Sequence, residues 1–555
     1  MTRFQRKCIS LSAAVGLLFF GAGRATAQGD REDNQFRDAE HKDMKLVGFN
    51  DLQNRSTYQP TLHKQVVHGQ VRYIIYAGHH TLAQPGDGLA PPGTPALPSF
   101  NPLTGNNDEN GTAIVDVTDV RHPKQLVHLP VSNGTGGGSQ MVRVCDGIGA
   151  NVGKVFMLRS YASSAHEIWD VTDPSNPKDV RTVRNGNPVI GAQTGTPGAM
   201  AGTHKSWWEC DTGIAYIVGR RGNDTTNGWR GGNHIFIFDL SDPANPVFLR
   251  DWALDGQQPG GVIPPHFTSV PSIHGPISTG PNTATNPIAG TGATLDRVYF
   301  AYGTGSNGVM QIVDRTKLLP PPFGTGVKCG SAASTLDPPS CATADFKTAE
   351  LGRWIMNPDN GAHTNFPLGR MTVQDFVTDT GNDVGAVRDI VFVTSEATAN
   401  FCANQVRHLT HTVDVTAEGK PQSIGTFQVS AASGDFCDRG GRFGPHATNE
   451  EFGPPFFQKL VFVSEFNAGV RAVDVRDPYN PKEAAFFIPA VTPATDLRCG
   501  PFKGNPNVCV QSIQTNNVAT DDRGFIYIVD RADTGMHILR LTGKAAEIAG
   551  LQDDD

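Results

Sequence analysis

Apolar residues along this chain come in short runs, each cut off by a turn residue before any helical period is established. Residues 71–77, 155–158, 214–218, 298–301, 390–394, 460–464 and 525–529 are nearly unbroken hydrophobic stretches rich in Val, Ile, Phe and Tyr. Runs of that length bounded by Gly, Pro, Asn and Asp read as strands buried on both faces, because a strand exposed on one side alternates apolar with polar positions. Where the pattern is clearest, a further strand then ends at an aspartate. Another lies just past one or two prolines, as at residues 125–129, 179–183, 247–252 and 484–488. With an inner segment ahead of each hydrophobic run, the order is four strands per unit, and an array of such units predicts the blades of a β-propeller.

The junction between the third and fourth strands carries a recurring phrase. It reads Ile114-Val115-Asp116-Val117-Thr118-Asp119 with Pro123 behind it, then Ile168-Trp169-Asp170-Val171-Thr172-Asp173-Pro174-Ser175-Asn176-Pro177, then Phe238-Asp239-Leu240-Ser241-Asp242-Pro243-Ala244-Asn245-Pro246. A fuller copy is Val473-Asp474-Val475-Arg476-Asp477-Pro478-Tyr479-Asn480-Pro481, and shorter ones stand at Ile312-Val313-Asp314 and Val413-Asp414-Val415-Thr416. An Asp there can accept backbone N–H bonds in an Asx turn while proline presets φ, so the aspartates are read as turn devices rather than catalytic groups.

Seven units follow, with first strands starting near His63, Gln140, His204, His274, His363, His446 and Asn517. The last has only residues 544–551 after its third strand, whereas residues 44–49 read as a strand with no blade of its own. The predicted fold is all-β: a seven-bladed β-propeller of four-stranded blades over residues 43–551, its ring closed by the N-terminal strand added to the last blade. Closure of this kind removes exposed sheet edges. Residues 28–42, charged and poor in apolar side chains, are expected to be disordered, and 552–555 form an acidic tail.

The copies ending at Asp116, Asp170, Asp239, Asp314, Asp414 and Asp474 resemble the repeat of the bacterial LVIVD-repeat β-propeller family, over nearly all of the chain beyond its leader. The seventh copy departs from it with Ile538-Leu539-Arg540, and those at Asp314 and Asp414 lack the Asp-Pro turn. The resemblance implies an exported propeller and supplies no catalytic mechanism.

Residues 1–27 have the layout of a cleavable secretory signal: Arg3, Arg6 and Lys7, an apolar run over 9–22, then Ala25-Thr26-Ala27. A periplasmic or secreted protein is expected, with no membrane insertion, since no later stretch reaches the ~20 apolar residues a crossing needs. Nine cysteines less Cys8 of the leader leave eight, for which pairing is the default in an oxidising compartment. Cys329 with Cys341 and Cys499 with Cys509 are close enough to pair locally, and Cys145 and Cys210 occupy similar places in adjacent repeats. No Cys-x-x-Cys spacing argues for metal or redox roles. A formal charge of −8 makes no case for nucleic acid. The absence of a Gly-x-Ser-x-Gly elbow, a zinc-protease helix or a phosphate-cradling loop disfavours serine hydrolase and nucleotide chemistry.

The blade openings carry the candidate chemistry. His204, His274, His363 and His446 each stand where an innermost strand begins, and His63 is a fifth, weaker candidate. Inner strands line the channel, so these imidazoles are expected to form a ring able to ligate Cu, Fe, Zn or Ni, which suit an all-imidazole set better than Ca or Mg do. Glu209, Glu396 and Glu465 are candidates to hydrogen-bond the far ring nitrogens. A ligand at the channel is then expected, with oxidase, oxygenase or hydrolase chemistry at the metal. Gln140 and Asn517 hold the same place in blades two and seven, so the ring reads equally as polar planar side chains holding channel water in a non-catalytic binding or interaction scaffold.

Overall fold

The computed structural model of the chain describes residues 37–81, 98–134, 137–181, 200–221, 229–258, 261–265, 267–327, 347–378, 385–403 and 405–552. The leader, Cys329 and Cys341 lie outside them. Seven antiparallel sheets succeed one another as the blades of a propeller. Their second strands are Gln70–His79, Val155–Tyr161, Ile214–Arg221, Arg297–Tyr302, Val387–Ser395, Leu460–Ser464 and Phe525–Asp530, each containing one of the hydrophobic runs.

Those strands read as continuous apolar runs because alternate side chains enter the cores on either side. From Ile214–Arg221, Ile214, Tyr216 and Val218 pack with Val298, Phe300 and Tyr302 of blade four. Ala215 and Ile217 point the other way, into a cluster with Phe156 and Leu158 of blade two. The same division recurs at every interface, and the circle closes where Tyr527 and Val529 of blade seven meet Ile75 and Ala77 of blade one. Period-two side-chain alternation thus converts a string of hydrophobic strands into a ring of inter-blade cores.

The repeated aspartates are turn residues. Asp116, Asp170, Asp239, Asp314, Asp414 and Asp474 each accept the backbone N–H two residues on, at 2.8 to 3.1 Å. The second aspartate of the full phrase repeats the device at Asp119, Asp173, Asp242 and Asp477.

Met44–Asn50 pairs antiparallel with Met536–Leu541 and is the fourth strand of blade seven. Gly48 sits at a register shift in that pairing, where a Cβ would meet the Val120 carbonyl oxygen at 1.8 Å. Residues following blade seven's third strand form the helix Gly543–Ala549, whose Ala545, Ala546 and Ala549 pack beside Phe456 and Phe462. The expected disorder over 28–42 is corrected at its end: Glu40–Lys42 is a strand on the outer edge of Lys482–Ile488 in blade six. An open sheet edge supplied its backbone partners, Arg439 pairs with Glu40 at 2.6 Å, and His41 stacks on Phe487.

Disulfides join Cys145–Cys210, Cys402–Cys437 and Cys499–Cys509. The first links blades two and three, and the last crosses the hairpin of Leu497–Phe502 with Asn505–Gln511, between blades six and seven. Among the described residues no helix is long and apolar enough to cross a membrane.

Candidate functional site

Each blade delivers one polar residue to the same end of the axis, and in four blades a β-bulge aims it. The register of the first strand against the second slips between Thr57 and Gln59, Ile273 and Gly275, Ala362 and Thr364, and Thr515 and Asn517. The extra residues are Tyr58, His274, His363 and Asn516. A bulge turns one side chain out of the pleat, which is why bulges concentrate beside binding sites. Gln140 and His204 stand just ahead of Val142–Asp146 and Ser206–Trp208, and His446 is held by its own N–H to the Ser464 carbonyl at 2.9 Å.

The four blade-opening histidines meet. Ring centroids are 4.7 Å apart for His204 and His274, 3.8 Å for His274 and His363, and 4.2 Å for His363 and His446. His204 Nε2 lies 2.9 Å from His274 Nε2, and the Tyr58 hydroxyl lies 3.1 Å from Nε2 of both His204 and His363.

The outer ring nitrogens are occupied. His274 Nδ1 faces the His363 carbonyl at 3.1 Å and His446 Nδ1 the Asn516 carbonyl at 2.6 Å. A carbonyl only accepts, so both rings carry their proton on Nδ1 and turn an Nε2 lone pair inward. His204 Nδ1 meets Gln140 Oε1 at 2.7 Å, to the same effect, and His363 Nδ1 meets the Thr364 hydroxyl at 2.8 Å. Burial drives His204 down to about 3 and His274, His363 and His446 well below the ordinary histidine value, so the rings are neutral.

The carboxylates expected behind the rings are distributed differently. Glu396 lies on the inner side, 3.8 Å from His446 Nε2, with Arg442 on the same oxygen at 2.9 Å. One atom each of His274, His363 and Glu396 lies within 4.8 Å of the others, so Glu396 joins the possible ligands. Glu209 faces no imidazole: Arg315 takes it at 2.7 Å, with the Tyr216 and Ser278 hydroxyls. Glu465 is buried with neither carboxylate oxygen partnered. His63 is also elsewhere, half-buried against Asp146 at 3.1 Å. Blade one's first strand, Thr57–Val67, runs eleven residues, and its axial end is occupied by Tyr58.

Beneath the ring the channel holds charge. Lys205, next to His204, pairs with Glu450, which also takes Arg143 at 2.6 Å. To the side lie His80 and Arg531. His80 Nδ1 is 2.9 Å from Gln140 Nε2 and its ring meets Tyr58 edge-on, while Arg531 Nη2 is 3.5 Å from His446 Nε2.

No family model matches this chain, and no curated protein matches it. A solved structure of YCF48 bound to D1 peptide aligns over 92% of this chain and 96% of its own, at 7% identity and a TM-score of 0.37.

Proposed function

We propose that this protein is an exported propeller of the LVIVD-repeat type that holds a transition metal, Cu, Fe, Zn or Ni, between His204, His274, His363 and His446, and binds its ligand there. The observation that carries the reading is the 2.9 Å approach of His204 Nε2 to His274 Nε2 while both Nδ1 atoms face acceptors. Two inward lone pairs at that separation repel, and a cation between the rings relieves the repulsion. Imidazoles whose far N–H is held by a carbonyl or amide oxygen are oriented as ligands usually are. A metal with open positions supplies Lewis acidity, activated water or dioxygen binding. The rigid inner strands would fix the imidazoles, and the neutral state enforced by burial keeps their lone pairs available. The three disulfides among the described residues support an oxidising compartment.

A second reading is favoured by Gln140. With its amide turned over, His204 would carry its proton on Nε2 and donate it to His274, and the ring would be a hydrogen-bonded plug in a binding scaffold. Metal analysis of protein purified without chelator separates the two. Near-stoichiometric metal that disappears in the His274→Ala, His363→Ala variant is expected. A wild-type protein that retains none after reconstitution with each of the four ions would overturn the metal reading.

A further inference from the structure

Beside the histidine ring, Arg498 and His80 hold buried donors without acceptors, and Arg531 has no acidic partner among the described residues. Arg531 is 6% exposed, yet among the described residues no carboxylate lies within ion-pair distance of it. Its contacts are the Asn516 amide oxygen at 2.7 Å, His446, and the faces of Tyr58 and Phe466. Arg498, 1% exposed, donates one hydrogen bond, from Nη2 to the Arg531 carbonyl at 2.7 Å, leaving Nε and Nη1 unpartnered. His80 is 7% exposed; Gln140, accepting from His204, donates to His80 Nδ1, so the His80 proton sits on Nε2, and that atom also has no partner.

The three are tied into one wall. Ser56 Oγ donates to the Arg531 carbonyl at 2.8 Å, and the Ser56 carbonyl accepts the His80 N–H at 2.9 Å. Buried N–H groups are left unpaired only at a cost of ~1–3 kcal/mol each, more for charged ones, and native proteins pair nearly all of them. Arg498 Nε, Arg498 Nη1 and His80 Nε2 are donors, so what completes them must be an acceptor. Two of these three atoms belong to one guanidinium, and among the described residues the neighbouring Arg531 has no carboxylate within ion-pair distance, so it should be an anion.

We propose that His80, Arg498 and Arg531 form an oxyanion-binding site alongside the axial histidines, which receives either the carboxylate of an organic substrate or an inorganic oxyanion. It deepens the reading of the axis as a ligand site by assigning the chemical class of that ligand. The acidic groups near Arg498 leave its Nε and Nη1 without a hydrogen bond. Asp496 stands 3.7 Å from Nη2, and burial together with Asp496 drives Asp533 well up, which disfavours its charged form. Glu396 is shared with Arg442.

The test is calorimetric titration of the full protein in a low-ionic-strength buffer with acetate, benzoate and phosphate, on metal-loaded and chelator-treated samples. Expected is saturable binding of at least one of the three that weakens tenfold or more in Arg498→Met, or in His80→Phe should the arginine variant fail to fold. Preference for acetate or benzoate identifies an organic carboxylate, and preference for phosphate an inorganic oxyanion. No saturable binding of any of the three, or binding unchanged in the folded variants, overturns the proposal. Metal content measured on the same samples keeps the two readings apart, because loss of the metal reading leaves anion binding by the chelator-treated protein to be judged by itself.

Discussion

Lys205 of blade three reaches Glu450 of blade six across the channel, Nζ to Oε1 at 2.5 Å, with both side chains buried. Burial works to raise Glu450, but Arg143 and Lys205 together hold it below the usual carboxylate value. Opposite blades are therefore joined by a charge network directly under the histidine ring. Breaking a buried pair by removing one partner leaves an uncompensated charge and costs ~3–5 kcal/mol. Glu450→Gln is expected to lose about that much in urea denaturation. The double variant with Lys205→Met should lose less than the sum of the two single losses, and strict additivity would refute the coupling.

Gln140 sets which nitrogen of His204 carries the proton, so its effect should appear in metal affinity before it appears in fold. Removing a partner that orients a metal-bound imidazole usually lowers affinity about 10–100-fold. Gln140→Leu is expected to weaken metal binding by that factor in a chelator competition, with circular dichroism unchanged. Gln140→Glu, which can only accept while ionised, is expected to hold the metal at least as tightly as wild type.

Glu465 is pushed up to about 8, chiefly by burial, from an ordinary value of 4.5. Between those values the folded chain holds a proton that the unfolded chain has released, so stability falls as pH rises through the window and levels off above 8. His166, driven down to about 3 by burial, acts in the opposite sense between 3 and its ordinary 6.5, where the unfolded chain binds the extra proton. The glutamate effect is therefore clearest from pH 6.5 to 8, with a slope of at most about 1.4 kcal/mol per pH unit. Denaturation midpoints of Glu465→Gln should be flatter than wild type over that interval; an equal slope would refute the assignment.

Ring closure hangs on the N-terminal strand, and Gly48 is its tightest point against the Val120 carbonyl. Because that neighbour is backbone, an added methyl cannot be accommodated by a rotamer change. Gly48→Ala is expected to cost ~1–3 kcal/mol, the usual range for overpacking. Limited proteolysis should then release the N-terminal strand before other segments are cut.

Cys145–Cys210 spans 65 residues and ties blade two to blade three. By loop-closure entropy a bond of that span contributes ~4 kcal/mol. The Cys145→Ala, Cys210→Ala variant should lose a stability of that order at a fixed pH, whereas the 10-residue Cys499–Cys509 loop should matter less.

The hydrophobic runs and the aspartate turns were open to reading from the chain alone because each is a local code. A run buried on both faces needs no tertiary partner to be recognised, and an Asx turn is closed within three residues. Four members of the axial cluster, His204, His274, His363 and His446, were legible for the same reason, since they recur where a repeated strand begins. Tyr58 and Asn516 were not, because no repeated histidine marks their positions and alternation carries no mark of the bulge that turns each to the axis. His63 was misplaced because blade one's first strand is long and its axial end lies toward Tyr58. Glu209 was assigned to the imidazoles, whereas Arg315, far along the chain, had the better geometry.

What the sequence by itself determined is the unit: four strands, a turn, and a polar residue at the inner edge, all specified by neighbours along the chain. What only the tertiary structure decided is company. His80 follows one strand of blade one, Arg531 follows one of blade seven, and Arg498 belongs to an inserted hairpin. Closing the ring brings these three donors to the histidines, because proximity around an axis depends on how blades pack and not on distance along the backbone.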